Sequence, residues 1–140
     1  MIILAVDFGD ARTGLACCDR SELLASPAGV IGETDFELCI RKTAQAAKEH
    51  RAERIVVGYP KNMNGTIGER AEKCALFAEK LGDLTGIETV LWDERCTTVS
   101  AHRYLNQTNT RGKKRKAVVD AVAATIILES YLAYRKNTAI

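Results

Sequence analysis

The first third of the chain consists of short apolar runs separated by polar turns. Residues 2–8 form an apolar run that only Asp7 interrupts, which is typical of a strand covered on both faces. Residues 14–18 are apolar again after a polar turn, so the two runs predict a hairpin. A third strand is predicted between residues 23 and 31, where a proline and a glycine leave its limits open.

From Thr34 onward the pattern changes to helices alternating with strands. Phe36, Ile40 and Ala47 recur at helical spacing, and Thr34 with Glu37 three residues later predicts the start of a helix. Five more elements are predicted, in the order strand, helix, strand, helix and helix: 54–58, 69–81, 88–92, 97–105 and 117–134. Because crossover connections are right-handed, the later strands should run parallel to the first. The pattern therefore predicts an α/β fold, a mixed five-stranded sheet with helices on both faces.

Composition limits the classes of protein to which the chain can belong. It has 140 residues, 46% hydrophobic and 27% charged, which predicts one domain over residues 1–140 and excludes a two-domain enzyme. The five cysteines include no C-x-x-C pair, so we expect reduced thiols. The opening apolar run is too short for a signal peptide, and no window is long enough to span a membrane. We therefore expect a cytoplasmic protein.

Acidic residues follow two of the predicted strands and interrupt one apolar helix. Asp7 ends the first strand, Glu94 follows the last one, and Asp120 lies within the apolar stretch 117–134. Ligands collect beyond the carboxyl ends of parallel strands, so Asp7 and Glu94 should converge there if their strands are neighbours. Asp120 would join them on its helix or remain at the helix surface. Carboxylates without histidine or cysteine suit Mg²⁺ or Mn²⁺, ions that activate water for phosphodiester hydrolysis.

Each of these acids also has a purely structural interpretation. Asp7 can cap a turn, and Glu94 can form an ion pair with Arg95. Asp120 can interact with the positive amino end of its helix. Taken singly, such roles are at least as common as metal binding. The three acids at compatible positions favour a metal centre.

The segment between Glu94 and Asp120 is basic. It contains no acid and seven cations: Arg95, Arg103, Arg111, Lys113, Lys114, Arg115 and Lys116. Because two predicted metal ligands flank it, we expect it to hold a nucleic-acid backbone through its phosphates. Arg12, in the turn after Asp7, has the same predicted role. The alternatives are a solvated charged loop for the segment and a surface ion pair for Arg12.

A second loop is predicted to lie near the same cleft. Residues 58–66 combine a proline, a lysine, glycines and the side-chain amides of Asn62 and Asn64. Such a loop can approach a phosphate or a base closely, although many loops of this composition only connect two elements.

Four segments of the chain together resemble the bacterial YqgF/RuvX family: residues 7–16, 57–66, 93–98 and 120–124. The resemblance covers nearly the whole chain and implies an RNase H-like fold. It places three residues at the family's catalytic acidic positions: Asp7, Glu94 and Asp120. Gly9, Arg12 and Gly14 fall on the family's first motif. Tyr59 and Cys96 differ from the residues that this family usually has at their positions. Both differences concern the recognition of substrate, and the three acidic positions are unchanged.

The family is described both as Holliday junction resolvases and as nucleases that process the 5′ end of pre-16S rRNA. The resemblance therefore implies a metal-dependent nuclease acting on precursor ribosomal RNA, with branched DNA as the alternative substrate. It also makes ribosomal particles candidate partners. The sequence carries no signal for an oligomeric state.

Two other classes of function are compatible with part of the sequence. Sugar-kinase and actin-like phosphotransferases also begin with an Asp-x-Gly loop, but they use two such domains, and this chain has neither the length nor a second copy. A non-catalytic RNA-binding or ribosome-binding module would share the basic segment. Metal-dependent cleavage that disappears when Asp7 is replaced separates an enzyme from such a module.

Overall fold

Three strands come first in the described part of the chain, and helices then alternate with strands. The computed structural model describes residues 1–60, 67–94 and 112–138, with the backbone alone described within 112–120 and at 138. The strands in these ranges are β1 (Ile3–Asp7), β2 (Arg12–Cys18), β3 (Ala25–Gly32), β4 (Arg54–Tyr59) and β5 (Glu88–Asp93). The helices are α1 (Phe36–Glu49), α2 (Glu69–Thr85) and α3 (Gly112–Thr138). The five predicted strands are confirmed.

These strands form one mixed sheet in the order β3-β2-β1-β4-β5. β1 is antiparallel to β2 and parallel to β4, and β4 is parallel to β5. The predicted hairpin and the parallel later strands are therefore confirmed. We call the end at which β1, β4 and β5 finish the carboxyl end of the sheet, and the opposite end the amino end.

The central strands contribute to two separate cores, because successive side chains of a strand point to opposite faces. Leu4 and Val6 pack with α1 and α2, whereas Ile3 and Ala5 pack with α3. Helices thus cover both faces, as predicted. Asp7 continues the alternation of Ile3 and Ala5, so the pleat assigns it to the face that α3 covers.

The ends of α1 and α2 differ from the predictions. Asp35, not Thr34, caps α1, because Asp35 has the extended backbone of a cap and its carboxylate accepts a hydrogen bond from the Leu38 backbone at 2.8 Å. α2 continues through Gly82 and ends at Thr85, and Gly86 after it adopts a left-handed conformation with φ of 70°. A glycine within a helix and a glycine after its end therefore have different roles here.

The start of α3 corrects two interpretations. The helix begins at Gly112, so the backbone of residues 112–116 forms its first turns and is not a loop. Asp120 lies more than two turns inside the helix, too far from the amino end to interact with the helix dipole there. The predicted helix 97–105 lies outside the described residues. In the described ranges, none of the helices has the length and apolar character needed to cross a membrane.

Candidate active site

Asp7 ends the central strand and lies at the carboxyl end of the sheet. Its partner on β2 is Gly14. On the other side, Val6 pairs with Val57 of β4, so the next residue in register beside Asp7 is Gly58. Glycines on both neighbouring strands leave room for other groups to approach the half-buried Asp7.

Glu94 follows β5 directly and reaches Asp7 across the intervening strand β4. The two carboxyl groups share a hydrogen bond. Gly58 makes this contact possible, because a Cβ atom there would lie 2.6 Å from Glu94 Oε1 and 2.7 Å from Ile127 Cδ1 of α3. A larger residue at position 58 would displace Glu94 or α3. The structure therefore brings together two of the three predicted acids, and it identifies Gly58 as the residue that admits Glu94.

Asp7 and Glu94, here called the acid pair, lie in half-buried and acidic surroundings. Burial raises the pKa of Glu94 above its ordinary value, and the negative charge of Asp93 raises it further. The hydrogen bond with Asp7 and the positive charge of Arg70 oppose this rise. Two carboxylates this close repel each other when both are ionised, so a cation bound by both would stabilise the charged acid pair.

The turn after Asp7 is held together by a buried hydroxyl. Thr13 is fully buried, and its hydroxyl oxygen accepts a hydrogen bond from the Gly9 backbone at 3.3 Å. A Cβ atom at Gly9 would overlap the Arg12 carbonyl oxygen, so only glycine fits this turn. Arg12 is exposed at the start of β2. The turn thus places a cation at the carboxyl end of the sheet and restrains the backbone that follows Asp7.

Two basic residues of α2 lie beside the same turn. Arg70 donates hydrogen bonds to the Phe8 carbonyl oxygen and, at 3.4 Å, to Asp10 Oδ2. Lys73 donates to Asp10 Oδ1 at 2.7 Å, and this hydrogen bond lowers the pKa of Asp10. Sequence reasoning missed both cations, because no motif marks them. Their one signal is a spacing of three residues, which places both on one face of a helix.

The charges at this end of the sheet also affect the pKa of Cys74 in α2. Burial raises the pKa of this thiol to about 12, and the nearby acids Glu94, Asp7 and Asp10 raise it as well. The thiol therefore remains protonated at neutral pH, unlike a reactive cysteine. The cysteines whose side chains the structure describes are all free, as predicted: Cys17, Cys18, Cys39 and Cys74.

Comparison with known proteins identifies the family. A model of the RuvX family, described as Holliday junction resolvase, matches residues 1–134. The chain belongs to the RuvX family. A relative from Caldanaerobacter subterraneus subsp. tengcongensis, named "Putative pre-16S rRNA nuclease", is 42% identical, and the match covers 99% of this chain and 100% of the relative. A relative of the same name from Carboxydothermus hydrogenoformans is 41% identical, covering 98% and 99%.

Solved structures share the fold of this RuvX-family chain at low sequence identity. RuvC of T. thermophilus, in complex with a Holliday junction substrate, has a TM-score of 0.64 and 10% identity, covering 99% of this chain and 97% of RuvC. A fowlpox virus resolvase bound to Holliday junction DNA has a TM-score of 0.61 and 10% identity, covering 96% and 98%. The RNase H-like fold is therefore confirmed. Family membership confirms the predicted enzyme class, a hydrolase of phosphodiester bonds.

The other predicted site residues fall wholly or partly outside the described residues. Asp120 belongs to the α3 backbone, one and two turns before Ala124 and Ile127, which pack on the sheet, and its side chain is not described. The same holds for the side chains of four basic residues: Lys113, Lys114, Arg115 and Lys116. Five further predicted residues lie outside the described ranges: Asn62, Asn64, Arg95, Arg103 and Arg111.

The chemistry of the acid pair fits a hard divalent cation. Asp7 and Glu94 offer carboxylate oxygens, which Mg²⁺ and Mn²⁺ prefer, while the nearby Cys74 thiol stays protonated. A cation bound by the two acids would offset the repulsion between their charges. The pleat also assigns Asp7 to the face covered by α3, the helix that carries Asp120.

Proposed function

We propose that the chain is a metal-dependent nuclease, a single RNase H-like domain over residues 1–140 that hydrolyses phosphodiester bonds. The observation that carries this proposal is the convergence of Asp7 and Glu94 at the carboxyl end of the sheet, where Gly58 of the intervening strand admits the Glu94 carboxylate. Ionising both members of such a pair is unfavourable unless a cation binds between them. We assign Asp7, Glu94 and Asp120 as the acids that bind one or two Mg²⁺ or Mn²⁺ ions.

Each residue of the site has a defined task in this proposal. Asp7, on the central strand, and Glu94, after β5, would hold the ions, and Gly58 leaves the room that the Glu94 carboxylate occupies. We assign Asp120, a residue of α3, to the same ions. A bound Mg²⁺ or Mn²⁺ ion supplies a Lewis acid that activates water and offsets negative charge on the phosphodiester.

Precursor 16S ribosomal RNA is the substrate that we favour. Relatives that are 42% and 41% identical bear the name of a pre-16S rRNA nuclease, and both align over nearly their whole length. We assign Arg12, Arg95 and the basic residues 111–116 to contacts with the RNA backbone, in the cytoplasm and on ribosomal particles. Four-way DNA is the second candidate substrate, because the family model is described as a Holliday junction resolvase.

Cleavage assays of a pre-16S rRNA fragment and a four-way DNA junction, side by side with Mg²⁺ or Mn²⁺, test the proposal. The parent protein should cut the RNA faster than the junction and lose activity in EDTA. Asp7→Asn keeps the size of the side chain but removes its charge, so it should slow cleavage by about a thousandfold or more. Its RNA affinity in EDTA should stay near that of the parent, because cations dominate binding. Asp83→Asn, an exposed acid near the other end of α2, is the matched control.

Different results would overturn different parts of the proposal. Cleavage by Asp7→Asn at the parent rate, or activity that survives EDTA, would exclude the metal mechanism. Faster cutting of the junction would make branched DNA the substrate. A metal-loaded parent protein that binds nucleic acid and cuts neither probe would be a binding module.

A further inference from the structure

A cationic cluster lies beside the turn that follows Asp7, and we define it as Asp10, Arg70 and Lys73. Arg70 Nη1 lies 3.4 Å from Asp10 Oδ2, and Lys73 Nζ lies 2.7 Å from Asp10 Oδ1. Two positive side chains therefore hold one carboxylate, which leaves the cluster with an excess of positive charge. The group that both cations hold in this structure is the Asp10 carboxylate, an anion with two oxygen atoms.

The cationic cluster is adjacent to the acid pair. Arg70 is anchored by its hydrogen bond to the carbonyl oxygen of Phe8, the residue directly after Asp7. Arg70 and Lys73 also lie over the Phe8 ring, 5.8 Å and 5.7 Å from its centroid, which restricts the directions in which they can point. An anion bound by both cations would therefore lie next to the strand end that carries Asp7.

The carboxylate that now occupies this place is easily replaced. The Asp10 side chain is 66% exposed, and Arg70 and Lys73 are each 46% exposed. Ion pairs with this exposure contribute little to stability, because water and salt screen them. A phosphate diester carries the same charge as Asp10, and arginine binds its oxygens in a bidentate geometry.

We infer that the cationic cluster is a subsite for a backbone phosphate of the substrate, and that this phosphate replaces the Asp10 carboxylate at Arg70 and Lys73. The inference rests on the proposed function, since a nucleic-acid strand brings further phosphates next to the one that is cut. Asp10 keeps the two cations in position while the site is free of substrate, and it competes with the strand when substrate arrives. The subsite thereby positions the strand beside Asp7 and Glu94.

Asp10→Asn tests this replacement, because it removes the competing charge and keeps the size of the side chain. Affinity for a pre-16S rRNA fragment and for a four-way DNA junction is measured in EDTA, so that neither probe is cut. Asp10→Asn should bind the favoured probe about two- to tenfold more tightly than the parent, the range expected from two exposed ion pairs. Lys73→Gln should bind more weakly and reduce the slope of log affinity against log salt by about 0.7–0.9.

Glu37→Gln is the matched control. Glu37 of α1 and Lys80 of α2 also form an ion pair at 2.7 Å. Their side chains are 62% and 43% exposed, close to the 66% and 46% of Asp10 and Lys73. Both substitutions remove one negative charge, so a general electrostatic effect would act equally through both. Equal affinities of Asp10→Asn and Glu37→Gln, or an unchanged salt slope in Lys73→Gln, would overturn the subsite alone. A parent protein that binds neither probe would overturn the proposed function and the subsite together.

Discussion

Two glutamates at opposite ends of the sheet have opposite surroundings. Glu22, near the amino end, accepts hydrogen bonds from the Met1 ammonium group at 3.0 Å and from Arg135 Nε at 2.6 Å. The hydrogen bond from Arg135 lowers the pKa of Glu22, and the terminal ammonium group lowers it further. Glu94, at the carboxyl end, has Asp7 as its hydrogen-bond partner, and burial raises its pKa.

The difference separates an acid that stabilises the fold from an acid that needs a ligand. The charge of Glu22 is balanced within the chain, so its ionisation favours folding. Burial and the charge of Asp93 disfavour the ionised form of Glu94 more than Arg70 favours it, so its ionisation opposes folding. Groups whose ionisation destabilises the fold are typical of functional sites, because ligand binding there is maintained at the expense of stability.

Gly58→Ala should disrupt the carboxyl end of the sheet, and its expected effect is the largest among the variants that test the comparison of the two ends. The added methyl group would lie 2.6 Å from Glu94 Oε1 and 2.7 Å from Ile127 Cδ1, so one of the two must move. A displacement of this size should slow RNA cleavage by about a hundredfold. Gly32→Ala, at a position with nothing within 4 Å of the added Cβ, is the control and should retain parent activity.

Circular dichroism at the assay temperature separates displacement from unfolding in this experiment. If folded Gly58→Ala cuts RNA as fast as Gly32→Ala does, the position of Glu94 does not depend on this glycine. The difference between the two ends of the sheet would then not depend on the close contact between Glu94 and position 58.

Most of the fold was predictable, because apolar periodicity follows burial. Strands buried on both faces have short apolar runs, and parallel order follows from the handedness of crossovers. The convergence of Asp7 and Glu94 then follows from strand order alone. What could not be predicted depends on neighbours distant in the chain. The glycine at position 58 is visible in the sequence, but the carboxylate that fills its space belongs to Glu94, 36 residues later.

Two boundary errors have the same origin. Thr34 and Asp35 both carry side chains that cap helices, and only the backbone conformation selects Asp35. Gly82 looks like a helix end, yet α2 continues through it, and a Cβ atom there would lie 3.3 Å from Thr89 Oγ1. The glycine thus allows close packing of α2 on β5, a contact that no local pattern reveals.

Glu22→Gln should lower the free energy of unfolding at pH 7 by about 1–2 kcal/mol, because it removes charged hydrogen bonds from a side chain that is 24% exposed. The pKa of Glu22 is lowered in the folded protein, so its contribution is present above the ordinary carboxyl pKa and is lost as the pH falls through the lowered value. Urea denaturation at several pH values measures this. A difference from the parent that persists in acid would assign the effect to packing instead of charge.

Asp7→Asn should raise the free energy of unfolding of the metal-free protein, whereas Glu22→Gln should lower it. Because the pKa of Glu94 is raised, the parent loses stability as the pH rises from the ordinary carboxyl pKa through the raised value. An asparagine can donate N–H to ionised Glu94, so the variant should be about 1 kcal/mol more stable than the parent at pH 7 in EDTA. Mg²⁺ should then stabilise the parent more than the variant. A variant less stable than the parent in EDTA would show that Asp7 supports the fold.

Glu88→Gln, also at the amino end, should have the smallest effect on the free energy of unfolding. It tests how much an ion pair contributes when it is exposed instead of buried. Glu88 Oε2 accepts a hydrogen bond from Arg54 Nη2 at 2.7 Å, a distance close to that in the Glu22–Arg135 pair, but Glu88 is 61% exposed. Arg54 keeps its hydrogen bond to the Tyr131 hydroxyl when Glu88 is replaced. Water screens the exposed pair, so urea denaturation should show a loss of about 0–0.5 kcal/mol. If Glu88→Gln destabilises the protein as much as Glu22→Gln, ion pairing alone, without burial, explains the stability of the amino end.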